Sequence, residues 1–270
     1  MSTEDIYTHG HHPAVVFAHG TRTIANSAAY LAPHLVKGMR LLDVGCGPGS
    51  ITCEMAAAIA PGEVVGVDAD TGVLDVARAR ARKLDLAHIE FEGADVYDLP
   101  FEDGSFDVTH AHQVLQHLAR PVDALLEMRR VTVTGGLVAA RDADYGTMVH
   151  SPRFEGIDRW RSLYTVLGHR AGHEPNAGRE LAGWFAAAGL EQHVVTTSTW
   201  QYATPDERHA WAEAWTNRIR HARMHDLAVE LGLATEDELE AMAADWERWA
   251  DHPNGYFAFL HGEVVATIPG

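Results

Sequence analysis

Asp43, Gly45, Cys46, Gly47 and Gly49 stand where an apolar run, residues 41–44, breaks before a helical pattern that opens at Ser50. Glycine supplies left-handed backbone and lets the main chain approach a ligand with no Cβ in the way, and a helix N-terminus offers unpaired N–H groups. The turn therefore predicts a small bound molecule. A second β-branched run, residues 64–68, ends in Asp68, followed by Ala69. A carboxylate at that place, about 20 residues beyond the glycines, suits the two hydroxyls of a ribose. The acid alone does not choose between adenosine cofactors, but the glycines do. A nicotinamide dinucleotide turn, G-x-G-x-x-G, needs glycine three residues after Gly47, where Ser50 stands.

Farther along, Arg141-Asp142-Ala143-Asp144-Tyr145-Gly146 puts carboxylates and a phenol at the end of a fifth predicted strand. Asp144 and Tyr145 are the candidate proton acceptors, the other reading being a turn cap and a packed ring. The histidine-rich amino terminus offers rival bases that titrate near neutrality. Lys37 and Lys83 are the only lysines, and both lie in the first third of the chain. That argues against a phosphate-loop lysine, a Tyr-x-x-x-Lys dehydrogenase pair and Schiff-base chemistry.

The order of motifs resembles the class I S-adenosylmethionine-dependent methyltransferases, small-molecule group, of the ubiquinone/menaquinone-biosynthesis type. Asp43-x-Gly45-x-Gly47-x-Gly49 matches their first motif. The run Ala94-Asp95-Val96, Leu99-Pro100-Phe101, Ser105-Phe106-Asp107 matches a later one, and residues 111–118, with His112, Gln113 and His117, carry the family's wording after the fourth strand. The resemblance is strong over about residues 40–145 and implies that S-adenosylmethionine is the cofactor. It further implies that the glycine turn wraps the methionine part, that Asp68 holds the ribose, and that Asp95 takes the adenine amine beside Ala94 and Val96. Arg22 is a candidate partner of the cofactor carboxylate, since a planar guanidinium suits it, the other reading being a surface cation, and Tyr7 would add a hydrogen bond. A sulfonium is already an activated donor, so alignment and exclusion of water can supply most of the rate, and no nucleophilic residue is needed.

Positioning these groups calls for alternating strands and helices. Strands are predicted near 40–44, 64–68, 89–92, 106–110 and 136–141, and helices near 50–60, 71–84 and 121–132, a doubly wound α/β pattern. A helix over 178–188 and strands at 192–203 and 256–268 follow. By resemblance the last strand inserts antiparallel beside the fifth, giving a Rossmann-like, seven-stranded, mostly parallel sheet in the order 3-2-1-4-5-7-6. The chain divides as one domain, residues 1–270, with an N-terminal arm and helix over 1–38, a cofactor core over 39–145 and helical lid insertions over 146–177 and 204–252. The arm includes Tyr7, His9, His11 and Arg22 and precedes a helical pattern reaching about Lys37. In the first insertion Trp160 and Tyr164 share a helical face; the stripe reads either as core or lid packing or as contact with an aromatic acceptor, for which these two rings are the candidates, with Arg179, His9 and His11 as further acceptor contacts. The second insertion predicts two helices, the later one opened by a capping box, Thr235 to Glu238.

The chain has 270 residues, is 46% hydrophobic, and carries 38 acidic against 21 basic residues, a formal charge of −17. Such a field repels phosphate backbones, so nucleic acid is an unfavourable partner. No stretch is long and apolar enough for a membrane span and no leader is visible, which predicts a cytoplasmic protein with a small-molecule partner. Cys46 and Cys53 make no metal or disulfide pattern. His221 and His225 would share a helical face, but no further ligands complete a zinc site. The favoured reading is methyl transfer to an aromatic, heterocyclic or quinone-like acceptor. An indole-type C-methyltransferase, a nicotinamide oxidoreductase and a non-catalytic cofactor-binding protein are the alternatives.

Overall fold

A computed structural model describes residues 22–270. Tyr7, His9 and His11 lie outside the described residues.

The apolar, β-branched runs form five parallel strands, β1 (Arg40–Val44), β2 (Glu63–Asp68), β3 (Ile89–Gly93), β4 (Phe106–His112) and β5 (Thr132–Ala143). The sequence returns to the sheet as β7 (His193–Tyr202) and β8 (Tyr256–Thr267), with β8 antiparallel between β5 and β7. The seven long strands thus lie in the expected order. An eighth, β6 (Val149–Ser151), pairs with the start of β8 and extends the edge that β5 leaves. Three residues are too few for alternation to show in sequence, which is why it was not expected.

Helices cover both faces, as buried parallel strands require. On one face α2 (Ser50–Ile59) sets Ile51, Met55 and Ile59 against Leu41, Val64 and Val108, while α3 (Thr71–Lys83) packs on Phe91. On the other, α4 (Pro121–Val131) and α6 (Ala177–Ala187) press Leu125, Met128, Leu181 and Phe185 onto Leu42, Val44, Val138 and Val264. The expected helix reaching Lys37 is instead one capped turn, α1 (Ile24–Ser27), and a 3-10 turn at Ala32–His34. Thr23 and Asn26 close a capping box at the start of α1, and Pro33 cannot continue an α-helix.

The two insertions, expected as a lid, hold α5 (Glu155–Arg170) and then α7 (Pro205–His221), α8 (Arg223–Glu230) and α9 (Glu236–Asp251). Three helices fill the second insertion, not two, because Ala222 turns extended and breaks the run. His221 and His225 consequently sit on different helices. His225 bonds the Ile219 carbonyl and faces Glu236. The expected capping box at Thr235 and Glu238 opens α9. The lid owns a separate core in which Trp160, Trp215, Trp246 and Trp249 close on Phe257 and Phe259 of β8. No helix among the described residues is long and apolar enough to cross a membrane.

Candidate active site

The glycine turn crosses the carboxyl edge of β1. Gly45, Gly47 and Gly49 all adopt positive φ, at 68°, 53° and 70°. Only Gly47 has open space around it: a Cβ there would meet nothing within 4 Å, whereas one on Gly45 would run into Val114. Packing among the described residues therefore does not call for a small residue at 47, and it leaves room for a ligand on the outer face of the turn. The Gly47 N–H donates to Asp68 Oδ2 at 2.9 Å, and Asp68 Oδ1 accepts from the Asp70 N–H at 3.0 Å. These bonds bring the tip of β2 against the turn and set Ala69 beside it. The Ala94 N–H bonds the Asp68 carbonyl, so the tip of β3 joins the same edge. There Asp95 is half-buried, its Oδ1 accepting from the Tyr97 N–H, and Val96 is buried. The residues fit an adenosine cofactor laid across β1, β2 and β3.

Asp43 does not face that volume. It is buried, one oxygen accepts from the Thr52 hydroxyl at 2.6 Å, and the other meets His110 Nδ1 at 2.8 Å. Expected at the ligand, it braces the turn from beneath, because its register on β1 turns its side chain toward α2 and β4. Cys46 is partly exposed, and burial of its sulfur pushes the thiol well above its usual range, away from nucleophilic use.

At the other end of the edge, Gln113 holds a left-handed φ of 55°, unusual for a residue with a side chain. Its Oε1 accepts from Arg22 at 2.8 Å, which turns its amide nitrogen to donate to His261 Nε2 at 2.9 Å. The His261 proton is then on Nδ1, which is buried with no hydrogen-bond partner among the described residues. One row below, His112, Arg141, Glu263 and Thr196 lie in register across β4, β5, β8 and β7. Arg141 is fully buried and donates to His112 Nε2 at 2.8 Å, to Ser198 and to Glu263, whose other oxygen accepts from Thr196. Burial draws Arg141 down only to about 10, so it stays charged at neutral pH. Burial, reinforced by Arg22 and Arg141, pushes both His112 and His261 well below the usual range, so both are neutral. The composition near β8 held a signal for this row: His261 and Glu263 interrupt an otherwise apolar strand.

The expected bases reach the carboxyl edge but are otherwise engaged. Both carboxylate oxygens of Asp144 accept from Arg179, each at 2.6 Å, and Asp144 is buried while Arg179 is half exposed. Arg179 is thus tied to Asp144 rather than offered to an acceptor. Tyr145 is buried and stacked on Tyr164 at 4.7 Å, and burial raises its phenol, which disfavours proton acceptance. Trp160 and Tyr164, expected to touch an acceptor with their rings, lie inside the lid core. Trp160 contacts Trp215 at 4.1 Å and Trp246 at 5.0 Å and is fully buried. His117 is half-buried beside His173, and burial drives it well below its usual range. Among the described residues no group of His, Cys, Asp and Glu gathers as metal ligands.

Asp144→Asn separates structure from chemistry. It removes a charge-assisted pair whose arginine is half solvated, so we expect a loss of about 1–2 kcal/mol of stability, with the acidic limb of the rate profile unmoved. A fall in kcat of about 10²–10⁴-fold together with a changed acidic limb would instead make Asp144 a base.

The family model described as a methyltransferase domain matches residues 35–207. An uncharacterized methyltransferase of Schizosaccharomyces pombe is 32% identical over 269 residues, covering 96% of this chain and 95% of that protein. A demethylmenaquinone methyltransferase of Staphylococcus aureus is 34% identical over 113 residues, 42% of this chain and 46% of that one. The crystal structure of a methyltransferase candidate from Bacillus halodurans aligns with a TM-score of 0.59 at 17% identity, covering 90% of this chain and 98% of the other, a likeness of fold.

Proposed function

Because the chain belongs to the class I S-adenosylmethionine-dependent methyltransferases, we propose that this enzyme methylates a small aromatic, heterocyclic or quinone-like acceptor beneath its helical lid. The observation that carries the reading is the lid itself. Its aromatic core closes directly on the carboxyl edge of the sheet through Tyr145, Phe257 and Phe259, which suits an enclosed acceptor. The partial match to a demethylmenaquinone methyltransferase agrees with an aromatic acceptor.

S-adenosylmethionine supplies a methyl group already activated on sulfonium. The protein's part is to hold and align. Asp68 takes the ribose while tying down the Gly47 turn, Asp95 takes the adenine amine, and Gly45, Gly47 and Gly49 let the backbone lie against the methionine part. Arg22, fixed by Gln113, meets the carboxylate, with neutral His112 behind it. The lid excludes water from the transfer.

The test is transfer of label from methyl-labelled S-adenosylmethionine into a cell extract separated by ultrafiltration. Label is expected in the low-molecular-weight filtrate. Label held on retained nucleic acid or protein would overturn the reading.

Asp68→Ala checks the cofactor placement. It deletes charge-assisted hydrogen bonds and frees the Gly47 N–H, so S-adenosylhomocysteine should bind about 10–100-fold more weakly, about 1.5–3 kcal/mol, with the fold retained. Unchanged affinity by calorimetry in a folded variant would remove Asp68 from the ribose.

A further inference from the structure

Three arginines are buried in this strongly acidic chain, and two of them are accounted for. Arg141 has Glu263, Ser198 and His112, while Arg208 donates to the carbonyls of Ala203, Ala250 and Gly255. Arg218, on the inner face of α7, is 6% exposed and has neither an ion pair nor a hydrogen bond among the described residues. Its Nε is enclosed without a partner, and its guanidinium lies over the ring of Trp215 at 4.5 Å. A ring face attracts the cation but satisfies none of its five N–H donors. Burying a cation without a counter-ion is costly. The fold retains it nonetheless.

The surroundings say what would complete it. Trp160, Trp211 and Trp246 all contact Trp215, and the indole N–H of each is buried with no acceptor among the described residues. The unsatisfied groups around this one ring are therefore all donors. Tyr145 meets the Trp215 ring edge-on at 6.2 Å and Tyr202 stacks on Trp211 at 4.3 Å, which puts both phenol rings beside the indoles that surround the lid cation.

We infer that Arg218 is the anchor for an anionic oxygen group, carboxylate or phosphate, carried by the acceptor, with the aromatic body of that molecule lying toward Tyr145 and Tyr202. This rests on the small-molecule reading above and narrows it to acidic aromatic acceptors. A guanidinium suits such groups through paired N–H···O bonds. The acceptor would then relieve a charge left without a counter-ion among the described residues, so binding and stability are coupled at this residue.

The experiment titrates S-adenosylhomocysteine-loaded protein with indole-3-carboxylate, phenyl phosphate and the neutral indole-3-carboxamide, following tryptophan fluorescence and melting temperature. One of the two anions should bind saturably, raise the melting temperature and exceed the amide in affinity at least tenfold, and the preferred anion identifies the group. Arg218→Met keeps the side-chain length. It should lose that preference at least tenfold while retaining S-adenosylhomocysteine affinity and a melting temperature no lower than wild type. Arg218→Lys should recover part of the anion binding. If the Met variant binds the anions as wild type does, or if the amide binds wild type as well as the anions do, Arg218 is not the anchor and the small-molecule reading stands. If none of the three probes binds wild type, this inference falls, and the fate of the labelled methyl group alone decides the wider reading.

Discussion

Trp160→Ala should lower the stability of the protein by about 3–5 kcal/mol, the range for deleting a fully buried aromatic from a packed core. Its ring is enclosed by Tyr164, Trp215 and Trp246, with no exposed surface, so removal leaves a void that three rigid neighbours cannot fill. At about 2–4 °C per kcal/mol for chains of 150–250 residues, the melting temperature should drop by about 10 °C. Trp160→Phe should restore most of the loss, because it refills the ring space without the indole nitrogen. The opposite result, a normal melting temperature with a raised acceptor KM, would return Trp160 to the role that its aromatic helical stripe first suggested. Helical spacing shows that one face of α5 is apolar, but a stripe reads the same whether it meets other helices or a bound molecule. Two more tryptophans, Trp215 from α7 and Trp246 from α9, decide the matter here, and their approach is not encoded in α5.

The same contrast runs through the site. The turn at Gly45, Gly47 and Gly49 and its partner Asp68 were legible because each belongs to a short segment whose residue types already state the backbone it needs. The Asp68–Gly47 bond then joins two adjacent strands at their tips. Asp43 was misplaced because a motif gives a position and not the direction of the side chain, and parallel pairing with His110 turns it inward. The row of His112, Arg141, Glu263 and Thr196 depends on the register of four strands separated by long connections, and no local pattern carries that register. Arg218 was invisible for a simpler reason. It shares α7 with Arg220 and His221, and such a run reads as a solvated cationic end. Arg220 does pair outward with Glu240 and Glu247, whereas Arg218, two positions earlier, faces the opposite way into the lid.

Asp142 should make the protein lose stability as pH rises through neutrality. Its side chain is fully buried at the end of β5, where one oxygen accepts from the Gln116 N–H at 3.2 Å and the other has no partner among the described residues. Burial lifts its pKa to about 8 against the opposing pull of those backbone N–H groups and of Arg141 and Arg22. In the unfolded chain an aspartate titrates near about 3.9. Below that value both states hold the proton and the contribution of the neutral acid is complete. Between it and about 8 the unfolded chain has released a proton that the folded chain keeps, so each pH unit favours unfolding by up to about 1.4 kcal/mol. Above about 8 both states are ionised and the loss levels off. Asp142→Asn keeps the accepting oxygen toward Gln116 and removes the titration, so it should match wild type at about pH 4 and become progressively the more stable protein up to about pH 8. Other groups titrate over the same span, and the difference between the two melting curves is therefore the quantity to follow. Parallel curves from pH 5 to 8 would mean that Asp142 is already ionised in the folded protein, with a counter-charge close enough to offset its burial.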